Sequence, residues 1–436
     1  MADPIPIPKI KNYKKIVNSW ALYHWAENAF ATTVMAAILP VYYSHVAAST
    51  LTPNKATAYW GYTNAIALII SAFLAPMLGT LANIMGLRKR LLSIFAATGI
   101  VFTATLYFVT TGDWMMASVI FIISNIGFAL SDVFHDSLLP HVAKPEDIDS
   151  VSTRGYAIGY LGGGILLAIN VAMIQFMTNK EMAARLSFVS VSIWWAIFTI
   201  PLILNVKEPA KIKTGEANES PFIAGYKLLN KTFHDIKRYR QLILFLLAFW
   251  VYNDGIGTII KMATIYGAEI GIDRSTLIGA LLLTQFVGIP CAFGFGRLAG
   301  FIGTKRCIYL GLLVYTLISI GAYFMTRPVE FWILAFMVGT VQGGTQALSR
   351  SLFSSMIPKA KTGEFFGFYG MSSRIGGFIG PLVFAIVSQA TGNSRLGIIS
   401  LTVFFVIGGI LLSRVDEKQG VLIAQEEDSN SGLTIR

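Results

Sequence analysis

Charge is what this chain has least of. Asp, Glu, Lys and Arg make up 13% of its 436 residues, against about 25% in soluble domains, which excludes an ordinary solvated globule. Cysteine is nearly absent. The two present, Cys291 and Cys307, lie in or beside apolar runs, so a disulfide framework is excluded and both are expected to be packing residues. His-Glu-x-x-His, Gly-x-Ser-x-Gly, Cys-x-x-Cys and P-loop patterns are missing too, which argues against an intramembrane enzyme and against a self-contained ATP-driven pump. The opening "MADPIPIPKIKNYKKIVNSW" has no apolar core ending in a small-residue cleavage site. The first membrane span is therefore expected to direct targeting.

Apolar residues fill 54% of the sequence instead, with a mean hydropathy of +0.62. Runs such as "AIALIISAFLAPMLG" and "ISLTVFFVIGGILL" recur along the whole length, each within a stretch of about 20 residues that can cross some 30 Å of hydrocarbon. The expected fold class is an all-α membrane protein. Breaking the chain at Pro, Gly and charge clusters predicts twelve transmembrane helices, near 18–45, 56–83, 90–111, 114–139, 151–176, 184–205, 240–268, 275–298, 307–326, 330–356, 363–390 and 394–414. They group into a tail (1–17), a six-helix bundle (18–205), a linker (206–239), a second six-helix bundle (240–414) and a polar tail (415–436) whose end is expected to be disordered. Within the linker, Phe222, Tyr226, Leu229, Phe233 and Ile236 recur at helical spacing among Lys227, Lys231, Lys237 and Arg238. That pattern predicts an amphipathic helix on the membrane surface.

The loops alternate in charge. Twenty-six of the 34 Lys and Arg fall on one side, and six (Lys55, Lys180, Arg185, Arg274, Arg327, Arg395) on the other. By the positive-inside rule the basic side, with both termini, is expected to be cytoplasmic, in a bacterial inner membrane. The net charge of +11 then reflects topology, and a nucleic-acid partner is not expected.

The chain also repeats itself. "ALSDVFHDSLLP" (129–140) returns as "ALSRSLFSSMIP" (347–358), 218 residues later. "GTLANIMGLRKR" (79–90) returns as "GRLAGFIGTKR" (296–306), and "IGYLGGGILLAI" (158–169) as "IGGFIGPLVFAI" (375–386), both at an offset of 217. Glu27 aligns loosely with Asp254 at 227. Echoes at one offset, each at the corresponding span of six, predict two parallel six-helix pseudo-repeats.

Twelve helices in two parallel halves, with a Gly- and Lys/Arg-containing loop after the second span and again after the eighth, resemble the major facilitator superfamily. More narrowly, "WALYHWAENAFATTV" (20–34), "YNDGIGTIIKMATIYG" (252–267) and the run 341–384, "VQGGTQALSRSLFSSMIPKAKTGEFFGFYGMSSRIGGFIGPLVF", resemble the branch that includes the autophagy-related vacuolar amino-acid effluxers and their bacterial relatives. That resemblance implies secondary transport by alternating access, with export of amino acids such as leucine by fungal members. The chain departs from the pattern at Asn83, where the superfamily has Asp, and at Gly300. In the first span it reads Tyr23, His24, Trp25, Ala26, Glu27, Asn28 where the branch resembles Tyr-Asp-Trp-Ala-Asn-Ser. Near the end of the fourth it reads Phe134, His135, Asp136, Ser137 in place of Phe-Tyr-Asn-Ala.

Polar groups inside a membrane span are costly and mark function by default. Glu27, Asp254, Lys261 and Arg374 fall within spans, with Gln285, Gln342 and Gln346 at similar depth, which predicts a shared polar cavity at the repeat interface. The expected substrate-contacting set is Tyr23, Glu27, Asn28, Asp254, Lys261, Gln285, Gln342, Gln346 and Arg374, with Arg suited to a carboxylate. Glu27, Asp254, Asp132 and Asp136 are the candidate proton carriers. Asp132, His135 and Asp136 share one helix face near a basic end. With Arg154, Arg350 and Glu364 they are expected to form a gate, although the same face leaves a metal or metal-chelate substrate as an alternative. A non-transporting receptor or lipid-moving protein is the other alternative. No cofactor and no resident metal are called for. The leading expectation is a monomeric transporter of a small polar metabolite, an amino acid or related organic anion.

Overall fold

The computed structural model describes residues 12–51, 53–209, 239–269, 272, 274–377 and 379–430. The amphipathic helix expected at 221–238 lies outside them. The described chain is helical throughout its membrane passages. These are α1 Tyr13–Ala47, α2 Pro53–Met85, α3 Arg88–Thr105, α4 Trp114–Ser137, α5 Ile148–Phe176 and α6 Lys180–Asn205 in the N-terminal half. The C-terminal half holds α7 Arg240–Glu269, α8 Arg274–Ile302, α9 Thr304–Phe324, α10 Pro328–Ser355, α11 in two pieces, Thr362–Gly376 and Ile379–Thr391, and α12 Ser394–Ser413.

Ten described helices are long and apolar enough to span a bilayer. The other two passages are α10 and α11. α10 has the length but carries Gln342, Gln346 and Arg350 among its Ser and Thr residues. α11 is interrupted, where one continuous span over 363–390 is expected from the sequence. Pro381 stands in the first turn after the break. Pro381 has no N–H to give to the carbonyl of Gly377 four residues earlier, and its ring crowds that carbonyl. Pro40 acts more gently on α1, whose ladder widens to i→i+5 bonding over Phe30–Ile38.

Outward faces are apolar, as a lipid-facing surface requires: Phe73, Phe176, Phe301 and Phe324 are all exposed. Trp20, Trp195, Tyr252 and Tyr315 fill the interior. The halves meet through α2 against the first piece of α11, and through α5 against α8 and α10. Small residues make this approach possible. A Cβ on Gly79 would collide with the backbone of Gly363, and one on Gly367 with that of Ala75 and Pro76. Asn83 Oδ1 ties the same seam, accepting from Arg88 Nη2 (2.8 Å) and from the Gly363 N–H (2.9 Å) across it. Asp149 receives Thr304 Oγ1 at 2.7 Å and also Ser351. All these contacts lie towards the end that carries the Lys- and Arg-rich loops, so the halves are joined at the basic end.

The C-terminal tail corrects the sequence reading. Glu417–Asn430 is a helix, α13, and no disordered segment as far as Asn430. Its acids answer the basic loop between α10 and α11: Lys361 Nζ lies 2.6 Å from Glu427 Oε1, and the Lys359 N–H donates to Asp428 Oδ1 at 2.8 Å. Ala424 is buried beneath it.

Candidate functional site

α4 and α10 are the equivalent helices whose ends repeat, and they bring opposite charges together. Arg350 on α10 is fully buried. Its Nη1 donates to Asp136 Oδ1 on α4 at 2.7 Å and to His24 Nε2 on α1. Its Nε and Nη2 donate to Ser152 Oγ (3.0 Å) and the Ser152 carbonyl (2.9 Å) on α5. The guanidinium also lies over the rings of Trp20 (5.0 Å) and Tyr156 (4.6 Å). Ser152 Oγ in turn donates to the Ala347 carbonyl at 2.7 Å. One side chain of the C-terminal half is thus held by three helices of the other half. A buried guanidinium so desolvated needs this saturation, because removing its anion leaves an uncompensated charge.

A second layer lies directly behind. His24 Nε2 accepts from Arg350, so Nδ1 carries the proton and donates to Glu27 Oε1 at 2.7 Å. His135 is stacked on Trp20 at 4.5 Å, and its Nε2–H donates to the Trp20 carbonyl at 2.9 Å, while Trp20 Nε1 donates back to the His135 carbonyl at 3.0 Å. In the neutral imidazole this leaves Nδ1 of His135 with a bare lone pair. It is buried without a hydrogen-bond partner, with Asp136 Oδ1 at 3.9 Å. Glu27 Oε2 is buried without one as well, and the Glu27 carboxyl faces that of Asp132. Donor atoms of His24, Glu27, Asp132 and His135 all lie within 4.8 Å of one another. Asp132 is the half-exposed member, one turn, about 6 Å, further from the basic end than Asp136.

Asp254 and Lys261, expected beside the substrate, reach the break in α11. Lys261 Nζ donates to the Gly377 carbonyl at 2.8 Å, the acceptor that Pro381 leaves without its helical partner. Asp254 Oδ2 accepts the Gly380 N–H at 2.8 Å at the start of the second piece. The two charges cap the two half-helix ends with the sense that the helix dipole favours, cation at the C-terminus and anion at the N-terminus. Pro381 was the sequence signal for this role.

The remaining expected residues are dispersed. Asn28, Gln285, Gln342 and Gln346 are half-buried, on α1, α8 and α10. Gln346 lies one turn from Arg350 and, like Asp132, further from the basic end. Gln342 also edges an apolar cavity of about 80 Å³ inside the C-terminal half, whose other lining residues include Ile259, Tyr266 and Phe331. Tyr23 is fully buried, 4.7 Å from the His135 ring. Glu364 is buried at the start of α11. Arg154 is half-buried and makes no ion pair among the described residues. The side chain of Arg374 lies outside the described residues.

The vacuole effluxer Atg22-like family matches residues 51–425. The chain belongs to that family. A Bacillus subtilis relative, the uncharacterized MFS-type transporter YxiO, is 38% identical over 428 residues, covering 96% of this chain and 99% of its own. Autophagy-related protein 22 of Yarrowia lipolytica is 23% identical over 450 residues, covering 82% of this chain and 75% of its own. Among solved structures, the proton:xylose symporter XylE bound to 6-bromo-6-deoxy-D-glucose superimposes with a TM-score of 0.74 at 14% identity, over 96% of this chain and 99% of that one. The fold is therefore the major facilitator fold. This Atg22-like protein is a multi-pass integral membrane transporter and not an enzyme.

Proposed function

We propose that this protein moves a small polar metabolite, an amino acid or related organic anion, by alternating access of its two halves. The observation that carries the reading is the Asp136–Arg350 pair, which joins the halves at the basic end, while half-exposed Asn28, Asp132, Gln285, Gln342 and Gln346 stand further from that end. An ion pair across the repeat interface is a bistable element of the kind such a cycle needs. With the basic end cytoplasmic, as the Lys and Arg distribution favours, this arrangement is closed inward and both termini are inside a bacterial inner membrane. Asp132, His135 and Asp136 with Arg350 then act as the inner gate, supported by Glu364 and Arg154. Arg374 supplies the cation for a substrate carboxylate.

Protons are the proposed coupling ion, with the facing carboxyls of Glu27 and Asp132 as carriers. Two carboxyls in such proximity hold a shared proton or a cation between them. Asp136 and Asp254, the other proton candidates, are engaged by Arg350 and by the Gly380 N–H. The test is counterflow of labelled amino acids, dipeptides and carboxylates in proteoliposomes at two pH values. Wild-type protein is expected to exchange at least one of these classes faster with an imposed proton gradient. Arg374→Ala and Asp254→Asn are expected to abolish flux while folded protein remains in the membrane. No exchange of any class by the wild type overturns the metabolite reading, and wild-type rates in both variants remove these residues from it.

A further inference from the structure

The layer behind Arg350 gathers carboxyls and imidazoles in one place. Glu27, Asp132 and Asp136 are three carboxyls, Arg350 is one guanidinium, and the hydrogen bonds of His24 place its proton on Nδ1. Facing carboxyls in a largely buried cluster share a proton or take up a cation between them. The cluster also offers ligands in the form a metal takes. His135 donates Nε2–H to a backbone carbonyl, the arrangement that orients a ligating imidazole, and leaves Nδ1 bare and fully buried. The Glu27 carboxyl is buried and faces that of Asp132. Asp132, half-exposed, is the point of entry.

We propose that His24, Glu27, Asp132 and His135 form a site for a divalent first-row transition-metal ion, and that filling it draws His24 away from Arg350 and so loosens the basic end. Two imidazoles and two carboxylates favour an ion such as Mn²⁺, Fe²⁺, Co²⁺ or Zn²⁺ over Mg²⁺ or Ca²⁺, which prefer all-oxygen sets. The ligand atoms must close in. They lie within 4.8 Å of one another, whereas bonds of about 2.0–2.1 Å in a tetrahedral site separate ligand atoms by roughly 3.4 Å. His24 supplies the coupling. Its Nδ1–H now points at Glu27, so ligation through Nδ1 requires the proton to leave, and a tautomer with Nε2–H would set one donor against another at Arg350 Nη1. Metal at Nδ1 and the Arg350 bond at Nε2 exclude each other. The ion therefore weakens one of the contacts that Arg350 makes across the halves, leaving those to Asp136 and Ser152 to hold it.

The proposal is independent of which metabolite is carried, and its test uses no transport assay. Full-length protein, purified in detergent, is titrated with Co²⁺ and read by calorimetry and by visible d–d absorption. One equivalent is expected to bind with a spectrum of mixed imidazole and carboxylate ligation. Glu27→Gln, Asp132→Asn and His135→Gln are each expected to weaken binding at least tenfold, and Asp113→Asn, at the far end, to leave it unchanged. Thermal unfolding of each variant checks that it is folded. Spin labels at Glu146→Cys and Lys305→Cys, in a Cys291→Ser/Cys307→Ser background, are then expected to move apart when Zn²⁺ is added. Failure of the wild type to bind Co²⁺, or binding unaltered in all three ligand variants, overturns the site even if metabolite flux is intact. Binding with no change in the label distance overturns the coupling to the basic end.

Discussion

α5 and α11 occupy equivalent places in the two halves, 217 residues apart, yet one is continuous and the other is broken. The repeat aligns Gly163 with Gly380 and Gly164 with Pro381. In both halves a polar side chain of the neighbouring helix lies over the conserved small residue: Asn28 of α1 against Gly163, Asp254 of α7 against Gly380. Where Gly164 keeps the ladder intact, Asn28 has no broken end to cap, and the adjacent Glu27 is available to the His24 and Asp132 cluster. Where it breaks ahead of Pro381, Asp254 and Lys261 are spent on the two orphaned helix ends. The two halves thus divide the labour, with ionisable chemistry gathered in the N-terminal half and a capped helix break in the C-terminal half.

The sharpest way to break this comparison is at the contact between the halves. Arg350→Met is expected to cost about 3–5 kcal/mol by leaving Asp136 buried and unpaired, read as a lower midpoint of thermal unfolding. Adding Asp136→Leu is expected to recover most of that loss. If the single variant unfolds like wild type, the pair does not hold the halves. Next in size is Asp254→Ala, expected to cost about 1.5–3 kcal/mol through a charge-assisted hydrogen bond to the Gly380 N–H.

A double-mutant cycle tests the cause of the break. Lys261→Met is expected to destabilise the wild type by about 1 kcal/mol, since the ammonium is exposed. In a Pro381→Ala background, where an N–H is restored for the Gly377 carbonyl, the same change is expected to cost next to nothing. Equal costs in the two backgrounds would separate Lys261 from the proline break. The smallest effect is expected for Glu427→Gln on α13, about 0.5 kcal/mol in the same unfolding measurement, as for an ion pair near the surface.

Composition and repetition made the architecture legible. Too little charge, apolar runs of membrane length and echoes at an offset of 217 lead to two six-helix halves without any tertiary information. That the ends of α4 and α10 carry opposite charge was legible for the same reason, because Asp132 and Arg350 stand at equivalent positions; the acid that pairs with Arg350 is Asp136, one turn further along. His24 was not, although its neighbours were. It lies on α1, and only packing shows that α1, seated against α5 and α6, meets the end of α4 and brings imidazole against guanidinium. Asp254 and Lys261 stand in the sequence as charges within spans whose partners do not show, and in the fold each also reaches a backbone group at the break in α11. The departures from the effluxer pattern at His24, Glu27, His135 and Asp136 looked like separate variations on two helices. In the fold they touch.

The stacking of Trp20 on His135, with the Arg350 cation over the same ring, has a practical consequence. Indole emission shifts when a cation leaves its face, so this ring is an optical gauge built into the seam. In a variant that retains Trp20 alone among the 8 tryptophans, opening of the basic end can be followed in unlabelled protein, in detergent or in vesicles, on the time scale of a stopped-flow mixer.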